Sequence, residues 1–368
     1  MYDIPLIKPF ITDKVRERVL AVLDSGYLTE GPVTREFEER VAHWCGVDHC
    51  LAVTSCTTGL ELGLRALGVG PGDEVIVPDY TYPATASVVS IVGAVPVIVD
   101  VDPQTMLIDC DALEAAITDR TRGVIPVSLF GNPLDWDRLN AIKERHSLFM
   151  LEDAACALGS SYKGMMTGSH ADIAVFSHHP RKFITTGEGG TVTTRDGELH
   201  AFMHSYKHFG METGQSRAGT QFSRIGTNYK MSNLLAAVGL EQIALIHELL
   251  AERRSQADRY LALLADVPGV SLPKITEGGE HSWQTFSVFV ENRDAVMAAM
   301  REQGIEAQIG TYSLHMHPAY GDNGAVRIHG SMDGSRYAFE HALALPLYHG
   351  MTEAEQDRVV AALAGLAA

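Results

Sequence analysis

The sequence lacks several features that would assign it to a common class of protein. It has five cysteines in 368 residues, Cys45, Cys50, Cys56, Cys110 and Cys156, and no CxxC pair. This usage favours reduced thiols in the cytoplasm over a disulfide framework. The N-terminal residues lack the basic start and continuous apolar core of a signal peptide. No run approaches the roughly 20 apolar residues of a membrane span, so we expect a cytoplasmic protein.

Basic residues are also scarce. Asp and Glu outnumber Lys and Arg by 46 to 29, which gives a formal net charge of -17 at pH 7. Long-range repulsion then opposes binding to nucleic acid or to an anionic membrane, and we expect neither as a partner. A phosphorylated small molecule is compatible with this charge, because a few backbone amides and one or two cations can hold a phosphate.

Short apolar runs alternate with amphipathic stretches through the first half of the chain. The runs lie at 51–53, 74–77, 97–101, 123–128, 148–152 and 173–176. This alternation predicts an α/β fold with a mainly parallel sheet covered by helices on both faces. After a long helical segment at 231–265 the pattern becomes that of a smaller α+β unit. We therefore predict a large domain over residues 1–250 and a small C-terminal domain over residues 251–368.

One segment combines a buried-strand pattern, a lysine and a glycine-rich turn. Residues 172–190 read DIAVFSHHPRKFITTGEGG, with Lys182 between the apolar run and the turn. A lysine held at the end of a buried element loses solvent, so its pKa is expected to fall. The neutral amine is then a nucleophile that can form a Schiff base with an aldehyde. A solvated lysine in a turn is the alternative that this segment leaves open.

Other informative polar residues also follow apolar runs, where the sites of parallel sheets form. Residues 55–59 gather hydroxyls and free amides at a helix start, which favours an anion site or an ordinary helix cap. Asp153 is either a buried carboxylate that needs a cation, such as a pyridinium nitrogen, or a cap for a turn. Tyr82 suits stacking on a flat ring, or simple packing. Ser177 places a hydroxyl five residues before Lys182.

In this order the anion site, the aromatic ring, the carboxylate and the amine match the parts of pyridoxal 5'-phosphate. Longer motifs point the same way. They are GYLTEGP from residue 26, SCTTGLELG from 55, EDAACALG from 152, SHHPRKFITTGEGG from 177 and GTNYKMSNL from 226. With these motifs the sequence resembles, over essentially its whole length, the DegT-type (DegT/DnrJ/EryC/StrS) sugar aminotransferases. That family is a branch of the fold type I pyridoxal-phosphate enzymes.

The resemblance implies a homodimer whose active sites lie between the subunits and whose large domain carries a mostly parallel, seven-stranded sheet. It implies that Lys182 forms the Schiff base with the cofactor. By the same resemblance, Asp153 pairs with the pyridine nitrogen and Tyr82 stacks on the ring.

The resemblance also implies which residues contact the phosphate of the cofactor. Cys56, Thr57 and Ser177 fall at phosphate contacts within the subunit. Asn228 matches an asparagine that family members reach across the dimer to the neighbour's phosphate.

Two residues depart from the family pattern. Cys156 stands three residues after the aspartate, where glutamine usually lies near the ring hydroxyl of the cofactor. A thiol is a weak donor, so this contact weakens or passes to another group. Lys230 stands where arginine is common after Asn-Tyr, and a lysine cannot reproduce the two-pronged contact of an arginine.

The function that the resemblance implies is transamination of a nucleotide-linked keto-sugar, most simply a 4-keto-6-deoxy hexose, with L-glutamate as amino donor. Tyr312 and His315 fall in a C-terminal loop that borders the sugar pocket, which makes them candidate substrate contacts. A pyridoxal- or pyridoxamine-phosphate-dependent dehydratase of the same family is one alternative. Lys182 opposes it, because one dehydratase branch carries histidine there, and no cysteine group for an iron–sulfur cluster follows Cys156. The other alternative is a non-catalytic sensor that binds pyridoxal phosphate.

The 16 histidines raise the question of a metal. His204 and His208 are spaced i, i+4 and His315 and His317 are spaced i, i+2. No carboxylate or cysteine completes either pair at a recognisable spacing, so we predict no metal site.

Overall fold

The computed structural model describes residues 2–212, 219–322 and 324–367. The α-helices of these residues are α1 (Asp13–Ser25), α2 (Pro32–Cys45), α3 (Cys56–Ala66), α4 (Ala84–Ile91), α5 (Cys110–Ala115), α6 (Trp136–His146), α7 (Gly197–Lys207), α8 (Asn233–Ile243), α9 (Ile246–Leu264), α10 (Arg293–Glu302), α11 (Asp333–His341) and α12 (Glu353–Ala367). The strands are β1 (His49–Val53), β2 (Glu74–Pro78), β3 (Tyr80–Thr81), β4 (Val95–Val99), β5 (Thr121–Val124), β6 (Phe149–Asp153), β7 (Ser161–Tyr162), β8 (Met165–Met166), β9 (Ile173–Ser177), β10 (Gly190–Thr194), β11 (Val270–Ser271), β12 (Gly279–Glu280), β13 (Phe286–Val290), β14 (Gln308–Ile309), β15 (Tyr312–Ser313), β16 (Arg327–His329) and β17 (Ala342–Leu345).

The large sheet has the strand order β1-β10-β9-β6-β5-β2-β4-β16. Its pairings are parallel except those of β10, which runs antiparallel to both β1 and β9. The predicted α/β fold with a mostly parallel sheet is therefore confirmed. The predicted count of seven strands is wrong, because β16 adds an eighth beside β4. This strand has three residues, too few to show a strand pattern in the sequence.

A second sheet lies in the C-terminal part of the chain. Its strand order is β11-β13-β17-β14, and every pairing in it is antiparallel. Its core also includes Ile4, which forms a bridge with Ile305. The division at residue 250 stays a prediction, and it falls inside α9. Two segments cross it: Ile4 packs in the C-terminal core, and β16 belongs to the large sheet.

Helix α3 packs closely on the large sheet. A Cβ atom on Gly59 would lie 2.5 Å from Cγ1 of Val175 on β9, so the contact requires glycine. Fully buried leucines on α3, Leu60, Leu62 and Leu64, join the same core as Val175. Each such side chain contributes about 1.5–3 kcal/mol to stability by burial. This packing fixes the first turn of α3 beside the ends of β1 and β9.

The helical segment predicted at 231–265 consists of two helices, α8 and α9, which meet at an angle of 63°. No single helix among the described residues has the length and apolar character of a membrane span. The bent pair of α8 and α9 has the length and composition of a membrane span only when the two helices are counted together.

Candidate active site

The carboxylate of Asp153 lies at the end of β6, in the middle of the large sheet. It is buried, and its Oδ2 accepts a hydrogen bond from the Thr85 hydroxyl at 2.8 Å. Its Oδ1 accepts one from the Ala155 amide at 3.2 Å and lies 3.8 Å from the Cys56 thiol. Burial raises the pKa of Asp153, and the hydrogen bonds oppose that rise only in part. Such a carboxylate can hold a protonated ring nitrogen, which is the role predicted for it.

The amine of Lys182 lies 2.9 Å from the thiol of Cys156. Sequence reasoning predicted a lowered pKa for this lysine because of burial. Burial does act in that direction, but the acidic groups of Cys156, Cys56 and Asp153 outweigh it and raise the pKa of Lys182. The direction of this pKa is therefore opposite to the one predicted, while the role of Lys182 as the Schiff-base amine stays a prediction. Cys156, the departure from the family pattern, thus contacts the lysine itself.

The turn that carries Lys182 is held on both sides by Gln284. The Oε1 atom of Gln284 accepts a hydrogen bond from the Phe183 amide at 3.0 Å, and its Nε2 donates to the Arg181 carbonyl at 2.7 Å. The Lys182 amide closes the turn by donating to the His179 carbonyl at 2.8 Å. Sequence reasoning missed Gln284, because nothing in the local sequence links it to a lysine 102 residues earlier.

The first turn of α3 is a capped helix start, and the anion site predicted there stays a prediction. Ser55 is the N-cap: its hydroxyl accepts from the Thr58 amide at 3.1 Å, and the Thr58 hydroxyl accepts from the Ser55 amide at 3.1 Å. This capping box leaves the amides of Cys56 and Thr57 at the positive end of the helix. Gly190 on β10 allows the start of α3 to lie close to this strand, because a Cβ atom at residue 190 would lie 2.7 Å from the Cys56 nitrogen.

The two tyrosines singled out from the sequence lie together. Strand β15 pairs with β3, and Tyr312 lies opposite Thr81 in that pairing. The rings of Tyr312 and Tyr82 are 6.3 Å apart, and Tyr82 is 65% exposed, so one face of its ring is free to stack. His315 follows β15, and its Nδ1 lies 2.6 Å from the fully buried carboxylate of Asp79. The pairing of β3 with β15 thus joins the predicted substrate residues to the predicted stacking ring.

Asn228 lies in a segment that runs beside the end of β1. The amide of Thr54 donates to the Tyr229 carbonyl at 3.1 Å, which places this segment next to the predicted anion site of the same subunit. The side-chain oxygen of Asn228 accepts a hydrogen bond from Nζ of Lys230 at 2.5 Å. Whether Asn228 reaches the phosphate of a second subunit stays a prediction, as does the role of Lys230.

These residues fit pyridoxal phosphate. An amine can take the aldehyde, a buried carboxylate the ring nitrogen, helix amides the phosphate and an open tyrosine face the ring. Ser177 ends β9 and lines one cavity with Cys156 and Lys182. Thr85, which donates to Asp153, was missed as a site residue although it follows Tyr82 by only three residues. Its signal was a threonine in the first turn of α4, the helix that follows the Tyr82 loop.

Comparison with known proteins agrees with this geometry. The sequence profile of the DegT/DnrJ/EryC1/StrS aminotransferase family matches residues 9–364. The chain is 38% identical to GDP-perosamine synthase of Caulobacter vibrioides, with 99% of each chain covered. It is 34% identical to the spore coat polysaccharide biosynthesis protein SpsC of Bacillus subtilis, with 98% of this chain and 96% of SpsC covered.

A solved structure with the same architecture is that of the sugar aminotransferase Spr1654 from Streptococcus pneumoniae in its pyridoxamine-phosphate form. It is 31% identical to this chain, with a TM-score of 0.93 and 99% of each chain covered. Its fold, the family profile and the residues around Lys182 lead to one conclusion. The chain belongs to the DegT/DnrJ/EryC1/StrS aminotransferase family, and it is a fold type I aminotransferase that depends on pyridoxal phosphate.

Proposed function

We propose that this enzyme transfers an amino group from L-glutamate to a nucleotide-linked keto-sugar, a 4-keto-6-deoxy hexose. The observation that carries the proposal is the buried amine of Lys182, which lies 2.9 Å from the Cys156 thiol and interacts electrostatically with Asp153 and with Cys56 on the first turn of α3. The choice of substrate is supported by the similarity, over 99% of each chain, to a GDP-perosamine synthase.

Pyridoxal phosphate, when bound, supplies an electron sink that stabilises a carbanion at the reacting carbon of the substrate. In our proposal Nζ of Lys182 holds the aldehyde carbon and, once released, moves a proton at the reacting carbon. The carboxylate of Asp153 keeps a proton on the ring nitrogen, because a nearby negative charge favours the protonated form. The other proposed contacts are stacking by Tyr82, a contact to the ring hydroxyl by Cys156, and phosphate contacts by Cys56, Thr57 and Ser177.

The proposed sugar pocket lies beside the pairing of β3 with β15. Tyr312 presents its ring next to Tyr82, and the imidazole of His315 is oriented by Asp79 through its Nδ1. Nε2 of His315 is buried and has no hydrogen-bond partner within the described ranges. A sugar hydroxyl is a suitable partner for it, since a buried polar atom without a partner is costly.

We also propose that the enzyme is a homodimer with active sites shared between subunits. Apolar side chains in the segment before Asn228 support this: Ile225 is 95% exposed and Phe222 is 62% exposed. Large exposed apolar side chains close together favour burial against a partner. The partner subunit's phosphate is the contact that we assign to Asn228. Light scattering behind size-exclusion chromatography tests the dimer, and a monomer in the presence of pyridoxal phosphate would contradict it.

We place the enzyme in the cytoplasm. All five cysteines are free thiols in the structure. Free thiols are typical of a reducing compartment, whereas a secreted protein would more often pair them.

The proposed reaction is tested by measuring the transfer of labelled nitrogen from L-glutamate to the sugar. The purified enzyme, loaded with pyridoxal phosphate, is incubated with ¹⁵N-labelled L-glutamate and, in separate reactions, the GDP-, UDP- and dTDP-linked 4-keto-6-deoxy sugars. Mass spectrometry should find ¹⁵N in one nucleotide sugar. Lys182→Ala should abolish both this transfer and the visible absorbance of the bound cofactor. Lys163→Ala is the matched control, because Lys163 is an exposed lysine paired with Asp137.

Three results would contradict all or part of the proposal. Loss of water from the sugar without gain of nitrogen would identify a dehydratase. Full transfer activity in Lys182→Ala would remove the role assigned to this lysine. If ¹⁵N enters the sugar from labelled glutamine or aspartate but not from glutamate, the amino donor is wrong while the sugar assignment stands.

A further inference from the structure

A cluster of side chains that could bind a metal ion lies outside the pocket around Lys182. His204 and His208 lie one turn apart near the C-terminal end of α7, with ring centroids 4.6 Å apart. Glu30, from the loop between α1 and α2, completes the group. One ligand atom from each of the three residues lies within 4.8 Å of the other two. Glu30 could not be linked to the two histidines from the sequence, because it lies 174 residues before His204.

The Nδ1 atom of His208 makes the kind of contact that is common for histidines at metal sites. Its Nδ1 lies 2.8 Å from the His204 carbonyl, which can only accept, so Nδ1 carries a proton. Its Nε2 lies 2.8 Å from Oε1 of Glu30, which also accepts. Nε2 of His208 and Oε1 of Glu30 thus face each other, and a cation bound beside them would contact both atoms. A histidine whose other nitrogen donates to a carbonyl is the common arrangement at metal sites.

A neighbouring lysine leaves this carboxylate oxygen available. Lys207 is fully buried, and its Nζ contacts Oε2 of Glu30 at 2.9 Å, Oε1 of Glu38 at 3.3 Å and the Ala52 carbonyl at 3.0 Å. It therefore holds Glu30 through Oε2 and orients Oε1 toward the two histidines. Two carboxylates face one ammonium in this cluster, so the charge of Lys207 does not cancel the attraction for a cation.

We propose that Glu30, His204 and His208 form a binding site for one divalent transition-metal ion of the Zn²⁺ class. Two imidazole nitrogens and one carboxylate oxygen are a ligand set that Zn²⁺ takes in tetrahedral sites, with water in the fourth position. Nitrogen ligands disfavour Mg²⁺ and Ca²⁺, which prefer oxygen. The ion would fasten the α1–α2 loop to α7. The backbone of His208 pairs with Asn228, so the ion would also fix the segment that contains Asn228. The proposal does not depend on the sugar substrate.

The test measures metal binding by the full-length, untagged protein after treatment with a chelator. Equilibrium dialysis against Zn²⁺ should give one bound ion per chain. Co²⁺ should give the visible absorption of a tetrahedral nitrogen–oxygen site, without the near-ultraviolet band that thiolate ligands produce. Binding should raise the melting temperature, because an ion that binds only the folded state stabilises it.

Three variants locate the site. His204→Ala and Glu30→Gln should each weaken binding at least about tenfold. His200→Ala is the matched control, because His200 lies one turn earlier on α7 and stacks on His49. It should bind as the wild type does. The proposal is overturned if the wild type takes up no ion, or if all three variants bind equally. It is also overturned if binding disappears in Cys156→Ala but persists in His204→Ala, since the ion would then occupy the pocket around Lys182.

Discussion

Glu152 should make the stability of this enzyme fall as the pH rises. It lies on β6 next to Asp153 and is fully buried. Its Oε1 accepts a hydrogen bond from the Ser128 hydroxyl at 2.5 Å, and both Ser128 and the Gly168 backbone act to lower its pKa. Burial raises the pKa of Glu152 from 4.5 to about 7. The perturbation to test is Glu152→Gln, which keeps the shape and removes the titration.

The size and the sign of the effect follow from this pKa. A rise of the Glu152 pKa from 4.5 to about 7 corresponds to about 3 kcal/mol. The folded state keeps the proton at pH values where the unfolded chain has released it. The contribution to stability is therefore fully present below about pH 4.5 and is lost as the pH rises through about 7. Between these values the wild type should lose about 3 kcal/mol more than Glu152→Gln.

The assay is urea unfolding of the cofactor-free protein between pH 4.5 and 8, followed by tryptophan fluorescence at one protein concentration. The quantity compared is the difference in unfolding free energy between the wild type and Glu152→Gln at each pH. Glu144→Gln, at an exposed glutamate of α6, is the control and should follow the wild type. Parallel curves for the wild type and Glu152→Gln would refute the reasoning, because Glu152 would then be ionised in the folded protein.

Three further substitutions test individual contacts. Cys156→Ala removes the thiol beside Lys182, so the pKa of this amine should fall. The rate at which the cofactor-free protein reacts with an aldehyde should then rise at a lower pH than in the wild type, and an unchanged pH profile would contradict the contact. Thr85→Val removes a hydrogen bond to Asp153 and should weaken binding of pyridoxal phosphate by roughly tenfold, while Thr85→Ser should restore it. Arg253→Met should lower stability by several kcal/mol, because the buried guanidinium donates to three backbone carbonyls; a melting temperature within a degree of wild type would show that water replaces it.

The fold was predictable because its strands are continuous runs of β-branched residues between helices. Val75, Ile76 and Val77 on β2 are fully buried, as the pattern indicates for a sheet covered on both faces. The eighth strand was not predictable, since three residues of mixed character, Arg327–His329, pair with β4 only because the tertiary structure brings them there.

The site was predictable where a functional side chain lies at the end of a strand or at the start of a helix. Asp153 and Ser177 end their strands, and Ser55 caps a helix, so each position could be assigned from local sequence. Contacts between distant segments could not. Gln284 holds the turn around Lys182 from 102 residues away, and the pKa of that lysine depends on thiols whose positions only the fold determines.

The path of the chain limits how the enzyme can open. The N-terminal segment lies in the core of the C-terminal part, and β16 returns from that part into the edge of the large sheet. A swing of one half against the other, as in a clamshell, would have to pull out a hydrogen-bonded strand and a buried isoleucine. A substrate must therefore reach Lys182 without such a swing of the two halves.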